Sequence, residues 1–470
     1  MKCPVNIAAA VLVLVPLFAG GPLLAQEGPT IREAAAARRA LMMTRMPDGL
    51  AIIQSADRSQ PNLYEFFVPE TEHHDFLYLT GIDTVPPPGA VLVLNPRGTS
   101  HREVLYTAGD VDEAKKQTGI EHVFRHDRFL EDLSSALTDF RNLRITQLRF
   151  KPVASDFSRG WGEGQKVVYF NYPRFTNLNE PANPRLGLVA KLQEASPKIE
   201  MRDAADILDR MRMIQDDYAL AQLRRAIDIT GKGLMEAMRV ARPGLTTREV
   251  MEVADFVYRL NGATLGFPTG VAAGLQGLQI FATAREEVEA REGSSVIQAG
   301  DLVWFDTGAA YNRYSADIQR QVPASGRFTE EQRRLYTIVL DVQKAVIAAV
   351  KPGVTWDALQ ALAIGMLQEA GGLDESYTYG IGHFIGMEVH DHGDYVEPLQ
   401  PGMVISIEQG AILNGLRVAF EDDVLVTPTG HEWLTRFIPI EIDEIEQLRT
   451  EKPTLDPLPL LLERPATKRR

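Results

Sequence analysis

Two stretches of the chain repeat one pattern of hydrophobic and polar positions, residues 298–308 and residues 400–410. In each stretch a glycine is followed by a run of mostly apolar residues, and a carboxylate stands at the ninth place, Asp306 in the first and Glu408 in the second. Apolar runs of this length, bounded by glycine, are typical of buried β-strands. The pattern therefore predicts two strands that each end in an acidic side chain.

A second carboxylate follows each stretch, Asp317 after the first and Glu421 after the second. Further upstream, residues 242–244 and 351–353 are both a basic residue followed by Pro-Gly, and each precedes a predicted helix. We interpret these repeated features as an internal duplication of a unit made of a helix and a hairpin. Two facing halves would bring four carboxylates into one cleft, where their burial is costly unless cations neutralise them.

The first part of the chain alternates apolar runs of strand length with helical patterns. This alternation predicts an α/β domain over residues 30–198. The separate predictions are a helix at 31–46, strands at 49–53, 75–81 and 90–94, and a helix at 127–141.

The second part of the chain predicts an α+β domain over residues 205–448, with its two halves related by a pseudo-two-fold repeat. The composition becomes charged and helical over residues 198–215, which is where we place the domain boundary. Thr246 and Thr329 are each followed three residues later by Glu or Gln, the pattern of a capping box at the start of a helix. The tail at 449–470, rich in proline and basic at its end, is predicted to be flexible.

The net charge of the chain disfavours some classes of binding partner. The 470 residues have a formal net charge of -14 and a pI of about 5.2. An acidic chain is poorly suited to bind nucleic-acid phosphates or an anionic membrane surface. A small or peptide-like ligand is the favoured partner.

The apolar run at 7–24 follows a single basic residue, is interrupted by glycine and proline, and ends near Ala25. These features are typical of a secretory signal peptide, here residues 1–25, cleaved near Ala25. They predict a secreted or periplasmic protein without stable membrane insertion; an uncleaved membrane anchor is the alternative. Cleavage would remove Cys3, the only cysteine, so the mature chain would have neither disulfides nor thiolate ligands.

Three of the nine histidines lie within ten residues of one another, His383, His390 and His392, just before the second carboxylate pattern. Glycines flank His383, and they allow the backbone to approach closely and leave the imidazole uncovered. The position of this cluster makes His383 a candidate ligand beside the carboxylates. His392 is more typical of an exposed or supporting residue.

His383 and the four carboxylates together form an oxygen-rich ligand set with one nitrogen. Two divalent cations would balance the four negative charges, and such a pair lowers the pKa of a bound water and polarises a carbonyl oxygen. Hard oxygen ligands favour Mn²⁺, with Zn²⁺, Co²⁺ or Fe²⁺ as alternatives, and argue against a structural zinc site. The five candidate ligands are Asp306, Asp317, His383, Glu408 and Glu421.

Short motifs surround these candidates. Asp306 begins Asp-Thr-Gly-Ala, His383 lies in Gly-His-Phe-Ile-Gly with His-Asp seven residues later, and Ile-Glu-Gln-Gly and Phe-Glu-Asp-Asp contain the two glutamates. Together these motifs resemble the pita-bread metallopeptidases, and most of all the proline-specific branch with Xaa-Pro aminopeptidase (aminopeptidase P) and prolidase. The segment at 76–81 also resembles the creatinase-like domain that precedes the catalytic domain in aminopeptidase P. The resemblance extends over about residues 32–448.

The resemblance implies a role for each ligand of a dinuclear centre. Asp306 would bind one metal ion and His383 the other. Asp317 and Glu421 would bridge the two ions. Glu408 would bind metal and also transfer the proton of the nucleophile, which requires it to lie within hydrogen-bond reach of that group.

The resemblance also implies a substrate and a second catalytic side chain. His390 corresponds to the histidine that steadies the substrate or the tetrahedral intermediate in this family. The implied substrates are peptides with proline at the second position, and the implied assembly is a homo-oligomer, a dimer or a tetramer.

Three positions depart from the pattern of the aminopeptidase P branch. Phe281 and Tyr379 stand where that branch usually has histidines, and Ala419 stands where it has an arginine two places before the last glutamate. Arg417, on the same predicted strand face as Glu421, is a candidate to support a ligand carboxylate. Phe281, Tyr379 and Arg417 are therefore the positions predicted to affect substrate contacts.

These departures leave several functions open. The leading hypothesis is a metal-dependent exopeptidase that cleaves the bond between an N-terminal residue and proline. A prolidase-like dipeptidase is the second, and a catalytically weak peptide-binding relative is the third. A metal-free creatinase-like amidinohydrolase is disfavoured because all five ligand positions are present.

Overall fold

The structure, a computed structural model, describes most of the chain. The predicted signal peptide, the end of the predicted tail, Phe281 and Tyr379 lie outside the described residues. The described residues are 28–55, 74–82, 89–137, 152–161, 166–173, 179, 181–196, 198–274, 295–373 and 380–457.

A six-stranded mixed sheet forms the centre of the first domain. Its strands are β1 (Gly49–Gln54), β2 (Val91–Leu94), β3 (Glu103–Thr107), β4 (His122–Arg125), β5 (Lys166–Phe170) and β6 (Ile199–Asp203). Their order across the sheet is β4-β3-β2-β1-β5-β6. The pairs β1–β5, β5–β6 and β3–β4 are parallel, and the pairs β1–β2 and β2–β3 are antiparallel.

Helices cover both faces of this sheet. They are α1 (Ile31–Arg45), α2 (His74–Thr80), α3 (Val111–Thr118), α4 (Phe129–Leu137), α5 (Pro152–Trp161), α6 (Leu186–Ala195) and α7 (Ala205–Arg212). Because side chains alternate along a strand, Ala51 and Ile53 pack in the core that includes α1, α2, α3 and α7. Leu50 and Ile52 pack in the core with α4, α5 and α6. The predicted α/β architecture of the first domain is confirmed.

Two local predictions for the first domain are wrong. Residues 75–81, expected to be a strand, lie largely in α2, which is buried on nearly all sides and so lacks the polar face that marks a surface helix. A short apolar run fits either element. Residues 199–203, within the expected helical stretch, form β6 at the sheet edge, so the first sheet extends past residue 198.

The second domain contains two units with the same order of elements. The first unit is α8 (Asp217–Val240), α9 (Thr247–Leu260) and the antiparallel pair β9 (Leu302–Thr307) and β12 (Ile318–Pro323). The second unit is α10 (Glu330–Ala349), α11 (Trp356–Glu369) and the antiparallel pair β13 (Val404–Leu413) and β14 (Leu416–Thr427). The predicted duplication and the α+β class are confirmed.

The two hairpins join through β12 and β14. The remaining elements are β7 (Thr264–Leu265), β8 (Gly270–Ala273), β10 (Ala309–Tyr311), β11 (Tyr314–Ser315), β15 (Gly430–Trp433) and α12 (Ile442–Leu448). The larger sheet has the order β13-β14-β12-β9-β8, with β15 added beside β14, and β11-β10-β7 form a small sheet. The junction of β12 and β14 therefore lies between the two halves of the repeat.

Capping boxes begin α9 and α10 as predicted. The hydroxyl of Thr246 accepts from the backbone N–H of Glu249, whose carboxylate accepts from the N–H of Thr246. Thr329 and Gln332 make the same exchange. Each box satisfies backbone donors that a helix start otherwise leaves without partners.

The beginning of the predicted flexible tail is instead held against α8. The N–H of Leu455 donates to Glu236 at 2.6 Å, and Asp456 forms an ion pair with Arg242 at 2.7 Å. Arg449 donates to the carbonyl of Arg239 at 2.7 Å.

Among the described residues, no helix has both the length and the apolar content that crossing a bilayer requires.

One of the hydrophobic clusters contains residues of both domains. Tyr218, Leu223 and Ile385 of the second domain pack in the same buried cluster as the helices α1 and α2 of the first. Arg38 of α1, buried at this junction, donates to Asp216 at 2.7 Å and to the hydroxyl of Tyr314 at 2.9 Å. The first domain is thus packed against the second beside the sheet that carries the candidate ligands.

Candidate metal centre

Four polar side chains lie in one row across the larger sheet. Asp306 on β9 is opposite Gln319 on β12, which is opposite Glu421 on β14, which is opposite Glu408 on β13. Strand alternation sends Phe305 into the hydrophobic core and leaves Asp306 for the other face. Three of the five predicted ligands therefore lie in register on three neighbouring or next-neighbouring strands.

Asp317 lies on the same face, directly before β12 and two residues before Gln319. Its N–H donates to Oδ2 of Asp423 at 3.3 Å. Gln319, two residues on, donates from Nε2 to Oε2 of Glu421 at 2.6 Å and accepts from the indole N–H of Trp304 at 3.1 Å. These hydrogen bonds hold the carboxylates of the two halves side by side.

His383 joins this group from the chain that precedes β13. Its N–H donates to the hydroxyl of Ser406 at 3.1 Å, and the N–H of Ser406 donates to its carbonyl at 2.8 Å. Its Nε2 lies 3.2 Å from Oε1 of Glu421 and 3.5 Å from Oδ2 of Asp317. The imidazole therefore faces two carboxylates from different halves of the domain.

Gly382 makes this approach to β13 sterically feasible. Its φ is +148°, and a Cβ there would lie 2.0 Å from the carbonyl oxygen of Ser406. Side chains larger than hydrogen would push the His383 backbone away from the strand. The glycine beside His383, noted in the sequence, is therefore required by a close contact.

The ligand atoms form three overlapping groups within the described residues. In each group one atom from every residue lies within 4.8 Å of the others. The groups are Asp306 with Asp317 and Glu421, His383 with Glu408 and Glu421, and Asp317 with His383 and His390. All five predicted ligands and His390 are thus brought together.

Burial and neighbouring groups shift the pKa values of several of these side chains. Burial, followed by the nearby charges of Glu421 and Asp306, raises the pKa of Glu408 to about 8. Burial and the Glu421 carboxylate raise the pKa of Asp317 well above its usual range. Burial lowers the pKa of His383, but its hydrogen bonds to Asp317 and Glu421 outweigh this and raise it well above the ordinary value.

The donor set fits divalent metal ions. Oδ1 of Asp317 is buried and has no hydrogen-bond partner among the described residues. Nδ1 of His383 lies 3.2 Å from the carbonyl oxygen of Phe384, which can only accept, so a neutral ring carries its proton there and presents the Nε2 lone pair to the cluster. Crowded carboxylates and an imidazole oriented in this way are stabilised by cations.

His390 lies at the solvent side of the cluster. It is exposed, and its ring centroid is 4.1 Å from that of His383 with the planes at 67°. His392 lies apart from the three ligand groups, with Nε2 3.5 Å from Glu388. The structure therefore separates the two histidines as the sequence predicted, with only His390 next to a candidate ligand.

Arg417 lies four residues before Glu421 on β14. Its guanidinium is 5.3 Å from the centroid of the Trp304 ring. Its positive charge opposes the rise in the pKa of Glu408. Between it and Glu421 is Ala419, paired across the strands with Gly410, so two positions without bulky side chains adjoin the carboxylates.

Sequence reasoning missed three supporting residues of the centre, Gln319, Trp304 and Asp423. Each lies two residues from a predicted ligand on the same strand or extended segment, so strand alternation places it on the same face. That spacing was the available signal. Their hydrogen-bond partners could not be read from it, because Gln319 and Glu421 are 102 positions apart.

Comparison with known proteins gives the class of this protein. Residues 221–428 match metallopeptidase family M24, and residues 35–144 match the N-terminal domain of aminopeptidase P. A Xaa-Pro dipeptidase of Pyrococcus horikoshii is 31% identical over 258 residues, which are 53% of this chain and 70% of that protein. The chain belongs to metallopeptidase family M24, and the resemblance inferred from the sequence motifs is confirmed.

Several relatives that match over most of the chain are named as aminopeptidases. A Xaa-Pro aminopeptidase of Escherichia coli (strain K12) is 26% identical over 462 residues, which are 87% of this chain and 96% of that protein. The structure of Pseudomonas aeruginosa aminopeptidase PepP superposes with a TM-score of 0.70 at 26% identity, over 89% of this chain and 98% of that one. The predicted two-domain architecture and the enzyme class, a metallo-aminopeptidase, are confirmed.

Proposed function

We propose that this metallopeptidase removes the N-terminal residue from peptides whose second residue is proline. The observation that carries the proposal is the convergence of four carboxylates and one imidazole at the junction of the two hairpins. A set of this kind suits hydrolysis of a peptide bond with assistance from metal ions.

Two divalent metal ions, for which we propose Mn²⁺, fit the donors. Asp306 would hold one ion and His383 the other, while Asp317 and Glu421, each grouped with both of these residues, would contact both ions. When bound, such a pair lowers the pKa of a water molecule and polarises the carbonyl of the scissile bond. The preference for Mn²⁺ rests on the oxygen-rich ligands and the absence of thiolates among them.

Glu408 and His390 are the side chains that we assign to proton transfer and charge stabilisation. Glu408 lies among the ligands, so its carboxylate is within reach of the proton that the attacking water must lose. His390 is exposed beside His383, so a ring N–H can face the carbonyl oxygen of a bound peptide. A donor there stabilises the negative charge that develops on that oxygen.

The extent of the matches favours an aminopeptidase over a dipeptidase. The Escherichia coli Xaa-Pro aminopeptidase aligns with both domains, including the first. The Pyrococcus horikoshii Xaa-Pro dipeptidase is more similar in identity but aligns with little more than half of the chain. A prolidase-like activity is therefore the second candidate, and the 31% identity is the observation that favours it.

Export and assembly belong to the same proposal. The N-terminal apolar run supports a secreted or periplasmic enzyme cleaved near Ala25, which N-terminal sequencing of the protein recovered from its natural host would test. A homo-oligomer, a dimer or tetramer, is proposed from the family resemblance. Light scattering of the purified protein would measure its molar mass.

Peptide cleavage followed by mass spectrometry tests the proposed reaction. Matched Xaa-Pro-Xaa, Xaa-Pro and proline-free peptides are incubated with the chelated protein and with the same protein after addition of Mn²⁺. We expect Mn²⁺-dependent loss of one residue from the Xaa-Pro-Xaa peptide alone. Cleavage restricted to the dipeptide would establish the prolidase-like alternative, and binding of peptide and metal without cleavage would overturn the proposed enzymatic function.

A further inference from the structure

One buried arginine connects the first domain to the loop that carries His390. Arg212 is the last residue of α7, and its side chain is 2% exposed. It donates to Asp75 of α2 at 3.0 Å, to Glu388 at 2.9 Å and to Asp391 at 2.5 Å. A buried guanidinium with three carboxylates from two domains forms a specific connection, because its donors have fixed directions.

Asp391 organises the loop around His390, which we define as residues 386–392. Its carboxylate accepts from the N–H of Met387 at 2.9 Å and from the N–H of His392 at 2.7 Å. Its own N–H donates to the carbonyl of Phe384 at 2.9 Å. One carboxylate thus closes the loop on both sides of His390, and Arg212 contacts that same carboxylate.

Glu388 fixes the other side of the loop. Its carboxylate contacts Arg212, His74 at 3.0 Å and His392 at 3.5 Å. Gly386 allows the loop to close, since a Cβ there would lie 2.0 Å from Oδ2 of Asp391. The loop is therefore attached through its acidic residues, while His390 between them remains exposed.

The first domain takes part in this arrangement through α2. Asp75, which is 2% exposed, is the first-domain acceptor for Arg212, and His74 contacts Glu388. Three residues after α7, Gln215 donates from Nε2 to the carbonyl of Ile385 at 3.1 Å and from its N–H to the carbonyl of Gly402 at 2.9 Å. The segment that joins the domains is thus bonded to the chain just after His383 and to the turn that precedes β13.

We propose that Arg212 is a positioning residue that sets the placement of His390 against the metal centre, and that Asp75 holds Arg212 for this purpose. Arg212 does not act on the substrate directly. The first domain then contributes to catalysis through α2, which fixes the guanidinium that fixes the loop. This inference rests on the proposed function, in which His390 stabilises developing charge on the peptide carbonyl.

The test compares Arg212→Lys, His390→Ala and the double variant in metal-loaded enzyme. Lysine keeps the charge but cannot contact three carboxylates through a planar fork. We expect Arg212→Lys to lower kcat by about 10- to 100-fold, since small displacements of catalytic groups have effects of that size, with little change in KM or metal content. The double variant should be no slower than His390→Ala, because both changes remove the same contribution.

A matched control is Arg39→Lys. Arg39 is also buried and ion-paired, with Glu103 at 2.9 Å, but its contacts lie within the first domain. We expect this change to lower the melting temperature without lowering kcat. Losses that multiply in the Arg212→Lys/His390→Ala enzyme, or equal losses of kcat in both arginine variants, would overturn the proposal.

A measurement that needs no turnover separates this inference from the proposed function. The side-chain NMR signals of ¹³C-labelled histidines are compared in the wild type, Arg212→Lys, Asp75→Asn and Arg39→Lys. We expect the His390 signals to move in Arg212→Lys and, to a smaller extent, in Asp75→Asn, and to stay in place in Arg39→Lys. Unchanged His390 signals in the first two variants would refute the positioning role, whether or not the enzyme cleaves Xaa-Pro peptides.

Discussion

Asp317 shows how a single side chain ties metal binding to protonation. Its carboxylate is buried against Glu421, its Oδ1 has no hydrogen-bond partner among the described residues, and its pKa is raised by burial and by that neighbouring charge. Such a carboxylate is stable as an anion only when a cation lies close to it. Loss of its charge should therefore weaken metal binding.

Asp317→Asn should remove metal and activity while leaving the fold intact. The amide has the size of the carboxylate but cannot serve as an anionic ligand to two ions. Loss of a residue that only supports a ligand lowers metal affinity by about 10- to 100-fold. We expect a larger fall for Asp317→Asn, because Asp317 is itself a proposed ligand. Metal stoichiometry by mass spectrometry and peptide cleavage rates measure the effect.

Asp341→Asn, on an exposed position of α10, is the control for that change. It should keep the full complement of metal and the wild-type rate. Two bound ions and an unchanged rate in Asp317→Asn would remove Asp317 from the metal centre.

Glu408 should make the free energy of unfolding of the chelated protein depend on pH. Burial, Glu421 and Asp306 raise its pKa from 4.5 to about 8. Between these values the folded state holds a proton that the unfolded state has released, so the free energy of unfolding falls as pH rises. The change is at most about 5 kcal/mol.

Bound divalent ions should reverse this trend, because they compete with protons for the same oxygen atoms. Thermal unfolding at about pH 5, 6.5 and 8, with EDTA or with Mn²⁺, measures both cases. A chelated protein that gains stability steadily across this range would contradict the raised pKa.

At the scale of elements, the approach of the His383 segment to β13 depends on backbone space. The contact between Gly382 and the carbonyl of Ser406 sets how deeply the imidazole reaches among the carboxylates. At Gly380, by contrast, no atom of the described residues would lie within 4 Å of an added Cβ. The two glycines, which are two positions apart, thus provide a matched pair for substitution.

Gly382→Ala should impair metal binding and destabilise the fold, whereas Gly380→Ala should do neither. The added Cβ at 382 would meet a backbone oxygen at 2.0 Å in a conformation with positive φ. The expected loss is more than about 1 kcal/mol, the level at which such incompatible substitutions are costly. Thermal unfolding and metal stoichiometry of both variants decide the matter, and equal behaviour of the pair would count against the contact.

Much of the second domain could be predicted because its signals are local in the sequence. Thr246 and Thr329 mark helix starts within four residues, and the two apolar runs place Asp306 and Glu408 at comparable places on their strands. The helix α2 could not be predicted in this way, since burial on nearly all sides removed its polar face. Its contacts near the site also join distant positions, because Asp75 and Arg212 are 137 residues apart and His74 and Glu388 are 314 residues apart.

At the scale of the whole molecule, the two domains form one packed unit. Tyr218, Leu223 and Ile385 of the second domain share a core with the helices of the first. The sequence predicted two domains, and the lack of a Gly/Ser-rich linker at residues 198–215 indicated that they pack closely. The residues of the shared core could not be predicted, because apolar residues at a domain junction have the same pattern as those inside a domain. Separation would expose this surface to water.

A fragment of residues 205–457 should therefore be less stable than the full chain, even though it contains every predicted ligand. The apolar side chains that faced α1 and α2 would become exposed, and Arg212 would lose Asp75. We expect its melting temperature to fall by more than about 4 °C, with increased binding of a hydrophobic dye. A fragment that melts and cleaves peptides like the full-length protein would refute this dependence on the first domain.

The junction of β12 and β14 has a consequence for the ancestry of the fold. Each half of the repeat supplies two of the four carboxylates, so a polypeptide with only one half could complete such a centre only by associating with a second copy of itself. The present chain holds in a single molecule what two identical half-length chains would have to share. It also departs from that symmetry at one point, because His383 belongs to the second half alone, so the two metal positions that we propose would be chemically distinct.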